Sequence, residues 1–269
     1  MTSPSRRVRA REGSLLDVRN APAAPAAAVL LLHGGRSEGM EPPPPVDLAA
    51  LRMRPFAARL VRTLAGRDVL VALLRYRHRG WNGARADAAR DAEAALAEVV
   101  RTAGDVPVVL VGHSMGARAA LRAAGHPAVL GVVGLAPWCP PHEPVAHLAG
   151  RRIHLLHDEA DRVTSARETW AFVRRAGAAG AHAEGIAMRR GGHAMLRGAA
   201  DWQRRTTELV AALLSAPPRT GNPVRADGGR TDDTAPTRAR RARFGPSGRV
   251  TPRCEGARTR SVRSGRVDL

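Results

Sequence analysis

Gly112-His113-Ser114-Met115-Gly116 sets a serine between two glycines, and its flanks give that spacing a chemical meaning. The apolar run Val106–Val111 leads in, and an alanine-rich helical stretch, Ala117 to Ala124, follows. Strand, tight turn and helix form a strained turn that lifts the Ser114 hydroxyl above a sheet and turns the Met115 N–H toward a developing oxyanion. A serine hydroxyl is a weak nucleophile and needs a base, which in turn needs an orienting acid. Downstream, Arg152–Leu156 reads as a buried strand and runs into His157-Asp158-Glu159-Ala160-Asp161-Arg162-Val163. Later, Ile186-Ala187-Met188 leads to Gly191-Gly192-His193. Upstream, His33-Gly34-Gly35 closes the run Ala26–Leu32.

The chain order is therefore Ser, Asp, His, each at the C-terminal end of an expected strand. That order and those four turns resemble the α/β-hydrolases over residues 14 to about 214. The resemblance implies Ser114 as nucleophile, Asp161 as acid, His193 as base, and the Gly35 and Met115 N–H groups as the oxyanion hole. It implies hydrolysis of an ester or thioester of a small acyl substrate, with no metal and no organic cofactor. One position departs from the family's acid turn: a glycine is usual where this chain has Asp158. Two carboxylates therefore compete for the acid's place, and Asp161 could instead cap the helix that follows it. Ser114 and His193 have the ordinary readings of a turn serine and a loop histidine. His33 and His157 fit structural places at strand ends, and His113 a place packed behind the nucleophile. Arg36 is positioned to receive a carboxylate or phosphate of a substrate, against the alternative of a solvated loop arginine. Trp138 could line an acyl pocket or pack in the core, and the Met40–Pro45 loop could flank an entrance.

The elements that must position these residues follow from periodicity. Ser14–Val18, Ala26–Leu32, Val69–Leu74, Val106–Val111, Val129–Leu135, Ile153–Leu156 and Ala183–Met188 read as strands; most are continuously apolar, as parallel strands covered on both faces are. Helical patterns fall at Leu48–Ala65, Ala84–Thr102, Ala117–Ala124, Ala166–Ala176 and Leu196–Leu214. The alternation predicts an α/β fold with a doubly wound, mostly parallel sheet. Only a short proline-rich segment separates Leu135 from Ile153, which leaves no room for a cap domain and predicts an open site.

Composition bounds the rest. The formal charge is +19 with no lysine, and aromatic residues make up 3%. A basic balance carried wholly by arginine, without stacking aromatics or a recognisable module, weighs against a nucleic-acid role and toward a compositional origin. Residues 1–13 read as a flexible N-terminus, 14–216 as the hydrolase domain and 217–269 as a disordered, arginine-rich tail. That tail holds thirteen arginines against five acidic residues, with too little apolar surface to offset chain entropy. Cys139 and Cys254 lack metal-ligand spacing. No stretch reaches the ~20 apolar residues of a membrane helix, and no cleavable leader is evident, since the first apolar run ends in the oxyanion turn. A cytoplasmic enzyme is the expectation. Two rivals stand beside it: a hydrolase-fold protein that only binds a ligand, and a nucleic-acid binder acting through the tail.

Overall fold

A computed structural model of the chain describes residues 13–215. The expected flexible N-terminus and disordered tail, and Cys254 with them, lie almost wholly outside those residues. The apolar runs become seven strands: β1 (Leu16–Asn20), β2 (Ala27–Leu32), β3 (Val69–Leu74), β4 (Val108–His113), β5 (Val129–Leu135), β6 (Arg152–Asp158) and β7 (His182–Met188). They form one sheet in the order β1-β3-β2-β4-β5-β6-β7. Every neighbouring pair is parallel except β1 with β3.

Among the described residues, four α-helices return the chain between strands, α1 (Leu48–Thr63), α2 (Asp87–Ala103), α3 (Met115–Ala123) and α4 (Ala166–Ala178), and a fifth, α5 (Ala199–Ser215), follows β7. Alternate strand residues serve opposite faces. Leu30, Leu32 and Leu110 pack with α2, α3 and α4, among Leu96, Leu121 and Phe172. Val29, Leu31, Val109 and Val111 pack with α1 and α5, among Phe56, Leu60, Trp202 and Val210. Two-sided burial explains why β2, β3 and β4 carry no alternating polar residues. The described residues between β5 and β6 hold one short 3-10 turn, Ala146–Leu148, and no cap.

Where boundaries differ from the sequence reading, a specific contact moves them. Ser14 and Leu15 precede the strand and bond the Glu98 carboxylate on α2 (Ser14 Oγ at 2.5 Å, Leu15 N at 3.1 Å), while the Leu15 carbonyl accepts from Arg75 N at 2.8 Å. β1 starts at Leu16. β4 extends to His113, since Gly112 and His113 pair with Gly134 and Leu135 of β5. That extension carries the sheet up to Ser114. α5 begins later than its periodicity suggests, because Gly198 has φ +74° and its carbonyl accepts from Asp201 and Trp202. Among the described residues, no helix is long and apolar enough to cross a membrane.

Candidate active site

Ser114 sits between the end of β4 and the start of α3 with φ +54° and ψ −117°. A non-glycine residue reaches that region only under strain, and such strain persists when the surroundings over-determine it. They do so here: the Ser114 N–H donates to Leu135 O at 3.0 Å. Its carbonyl accepts from Ala117, Arg118 and Trp138 at 3.1, 3.2 and 3.3 Å. The flanking glycines are demanded by close approach. A Cβ on Gly116 would stand 2.3 Å from His33 O, and one on Gly112 would stand 2.4 Å from Ala117 Cα. β2 and β4 therefore meet α3 closely enough to bring the His33–Gly35 turn alongside the serine.

His193 lies on the turn after β7 and donates from Nδ1 to Asp161 Oδ2 at 2.9 Å. That bond fixes the tautomer with the proton on Nδ1, leaving Nε2 as the acceptor a base requires. The Asp161 side chain is fully buried and its carboxylate is saturated. Oδ1 accepts from the Val163 and Thr164 N–H groups at 2.7 and 3.2 Å. Oδ2 accepts from Thr164 Oγ1 at 2.9 Å and from a second histidine, His157 Nε2, at 3.2 Å. Burial alone would raise the Asp161 carboxyl, but the Val163 N–H and His193, with Thr164, outweigh it and hold the group below the usual carboxylate range. It stays ionised beside the imidazole.

Asp158, the competing carboxylate, points elsewhere. Oδ2 accepts from the Gly192 N–H at 2.7 Å and Oδ1 from the Ala160 N–H at 3.0 Å. It ties the acid turn to the base turn and touches neither imidazole nitrogen of His193. The fold thus brings Ser114, Asp161 and His193 to one end of the sheet, with Asp161 rather than Asp158 on the histidine. The link from His193 to Ser114 is not closed: among the described residues, Ser114 Oγ makes no hydrogen bond. Such links are commonly loose in unliganded enzymes and tighten when substrate binds.

The N–H groups of Gly35 and Met115 likewise have no partner among the described residues, and Gly35 is exposed. Gly35 must be a glycine, because a Cβ there would overlap Met115 Cε at 2.4 Å and Arg79 O at 2.6 Å. Ser114 itself is 8% exposed.

Other sequence candidates take definite places. His113 is buried behind the serine and donates from Nε2 to the His193 carbonyl at 2.9 Å. Burial, with the neighbouring His193, holds its pKa down to about 3. Trp138 packs instead of standing free, with the Arg118 guanidinium 4.4 Å above its ring and 3.8 Å above that of Trp81. Glu143 completes this cluster by pairing with Arg118 and Arg122. Arg36 is exposed beside Gly35. Cys139 is buried among these residues, and burial pushes its thiol far up. Thr164 is the site residue that sequence reasoning missed. Only its place three residues after Asp161 signals it, and a threonine in a loop is too common to stand out.

Known proteins share this fold. The family model of the S33 serine aminopeptidases fits residues 65–154. A lidless α/β serine hydrolase of Xanthomonas campestris superposes with a TM-score of 0.53 at 18% identity, covering 76% of this chain and 90% of that one. The chain has the α/β-hydrolase fold. An α/β-hydrolase from a deep-sea metagenome library of the Medee basin gives 0.57 at 16% identity, covering 75% and 92%. A butyrate-bound esterase of Thermogutta terrifontis gives 0.54 at 18%, covering 74% and 87%. No curated protein sequence matches. The Xanthomonas protein is described as lidless, and the described residues of this chain likewise hold no cap between β5 and β6.

Proposed function

We propose that the chain is a serine hydrolase that cleaves a carboxylic ester or thioester through an acyl-enzyme on Ser114. The observation that carries this reading is the buried Asp161–His193 pair at 2.9 Å, set beside a strained serine whose neighbouring N–H groups have no other task. His193 Nε2 removes the Ser114 proton as Oγ attacks the carbonyl carbon. The Met115 and Gly35 N–H groups stabilise the resulting oxyanion, and one such donor typically contributes ~3 kcal/mol to the transition state. The tetrahedral species collapses, the C–O or C–S bond breaks, and His193 returns the proton to the departing alcohol or thiol. Water then attacks the acyl group with His193 again as base, releasing the acid and regenerating Ser114. Asp161 keeps the imidazole in its productive tautomer throughout and stays ionised.

The esterase among the similar structures supports ester chemistry, while a fold shared by many activities does not choose the acyl bond. A catalytically silent binding protein of the same fold is the reading this one displaces. Incubation with a fluorophosphonate probe separates the two: one adduct at Ser114, absent in Ser114→Ala, is expected. An unlabelled wild-type protein with no turnover on acyl esters and thioesters of graded chain length would overturn the proposal.

A further inference from the structure

Beside Gly35 lies a cavity of about 370 Å³ whose walls differ in character. Gly35, assigned above as an oxyanion donor, is itself part of its lining. One wall is cationic and rigid. Arg36 and Arg79 both line it, on loops fastened to each other by backbone bonds: Arg36 N to Arg79 O, Gly80 N to Gly39 O, Arg79 N to Glu41 O and Trp81 N to Arg36 O, all at 2.9–3.0 Å. Asn82 adds a side-chain clamp on Gly39, accepting its N–H at 2.8 Å. Pro44, Val46 and Leu48 also line the cavity, on the segment that carries Asp47, with Val46 and Leu48 exposed at 69% and 71%.

The ion pairs around this cavity leave Arg36 without a partner among the described residues. Arg79 pairs with Glu41 at 3.1 Å. Asp47 caps α1 by accepting the Ala49 N–H at 2.8 Å and faces His33 at 3.6 Å. Arg36 forms no ion pair among the described residues, although Glu41 feels its charge. An unpaired guanidinium on a fixed backbone, one residue from an oxyanion donor, is a receptor for a planar monoanion.

We propose that the substrate carries an ionised carboxylate a few bonds from the scissile carbonyl and that Arg36 binds it, with the connecting methylenes against Val46 and Leu48. This rests on the serine-hydrolase reading above. A single free guanidinium matches the single charge of a carboxylate, and Asp47 and Glu41 disfavour a dianion.

The test compares three esters of similar size on the full chain. Ethyl pentanoate is neutral, ethyl hydrogen glutarate carries the carboxylate on the acyl side, and pentanoyloxyacetate carries it on the alcohol side. The expected result is a kcat/KM for one of the two anionic esters roughly tenfold or more above the neutral one, the scale of a charge-assisted hydrogen bond. The responding arm shows which side of the ester occupies the cavity. Arg36→Gln is expected to bring that ratio to about one, mainly through KM, and Arg36→Lys to retain part of it. Added salt should shrink it in the wild type. A wild-type ratio near one, or a ratio that survives Arg36→Gln in a cooperatively folded variant, overturns the proposal. Turnover of the neutral ester with fluorophosphonate labelling of Ser114 shows that the hydrolase reading stands in that case. Absence of both turnover and labelling removes the two together.

Discussion

Asp158 and Asp161 stand on one turn with different tasks, so substitution should separate them. Asp161→Asn removes the charge that fixes the His193 tautomer, and kcat should fall by roughly 10⁴. Asp158→Asn leaves the acid in place but weakens the tie to Gly192. A smaller loss is expected, about 10–100-fold in kcat, with fluorophosphonate labelling retained but slowed. Equal losses in the two variants would mean that the division of labour read from the hydrogen bonds is wrong. Ser114→Ala should lower turnover by roughly 10³ to 10⁶-fold, and His193→Ala about as far, because the pair acts as one unit. Far-UV circular dichroism should be unchanged in Ser114→Ala. Undiminished turnover there, with contaminating esterases excluded, would leave Ser114 without its assigned role.

At the scale of elements, the site depends on how closely α3 approaches the ends of β2 and β4. Gly116→Ala places a methyl group 2.3 Å from the His33 carbonyl, where only backbone can yield. The expected cost is about 3–5 kcal/mol, the upper range for a single substitution, seen as a large fall in Tm. A Tm within a few degrees of wild type would show that α3 can shift at little cost. His113 links the elbow to the base turn through its 2.9 Å bond to the His193 carbonyl. His113→Gln can keep a donor at similar reach and His113→Leu cannot. Leucine should therefore reduce kcat more than glutamine while changing KM little.

The whole molecule carries a pH dependence in its buried histidines. Burial lowers the pKa of His33, His113 and His157, that of His113 to about 3 against an ordinary 6.5. Below pH 6.5 the unfolded chain binds protons that the folded chain refuses, so stability falls with decreasing pH. Each histidine contributes up to about 1.4 kcal/mol per pH unit until its own folded pKa is reached. Asp161, also held low, adds a loss in the same direction below the ordinary carboxylate range. Urea midpoints between pH 7.5 and 4.5 should fall steeply, and less steeply in His113→Gln. A flat profile would mean that these imidazoles accept protons without unfolding. The segment after Ser215 lies outside the described residues, and its composition predicts that a chain ending there unfolds at the same temperature with the same activity. Loss of cooperative unfolding would assign it a structural part.

The strands, the helices and the order of the reactive turns were legible in the sequence because short-range rules produce them. A two-faced parallel strand must be continuously apolar, a helix must repeat its apolar face, and a serine turn squeezed between strand and helix must be flanked by glycine. Asp161 and His193 were legible as candidates because each closes such a strand. Which carboxylate meets the histidine was not, since Asp158 and Asp161 share one turn and only the approach of the β7 turn selects between them. The same holds for His157, whose bond to Asp161 requires α4 to fold back and supply Thr169 to its other nitrogen at 2.7 Å. Trp138 read equally as pocket or core until α3 placed Arg118 over its ring. Local sequence sets which backbone shapes are possible; contacts between residues far apart in the chain set which side chain each functional group faces, and those exist only once the sheet has closed.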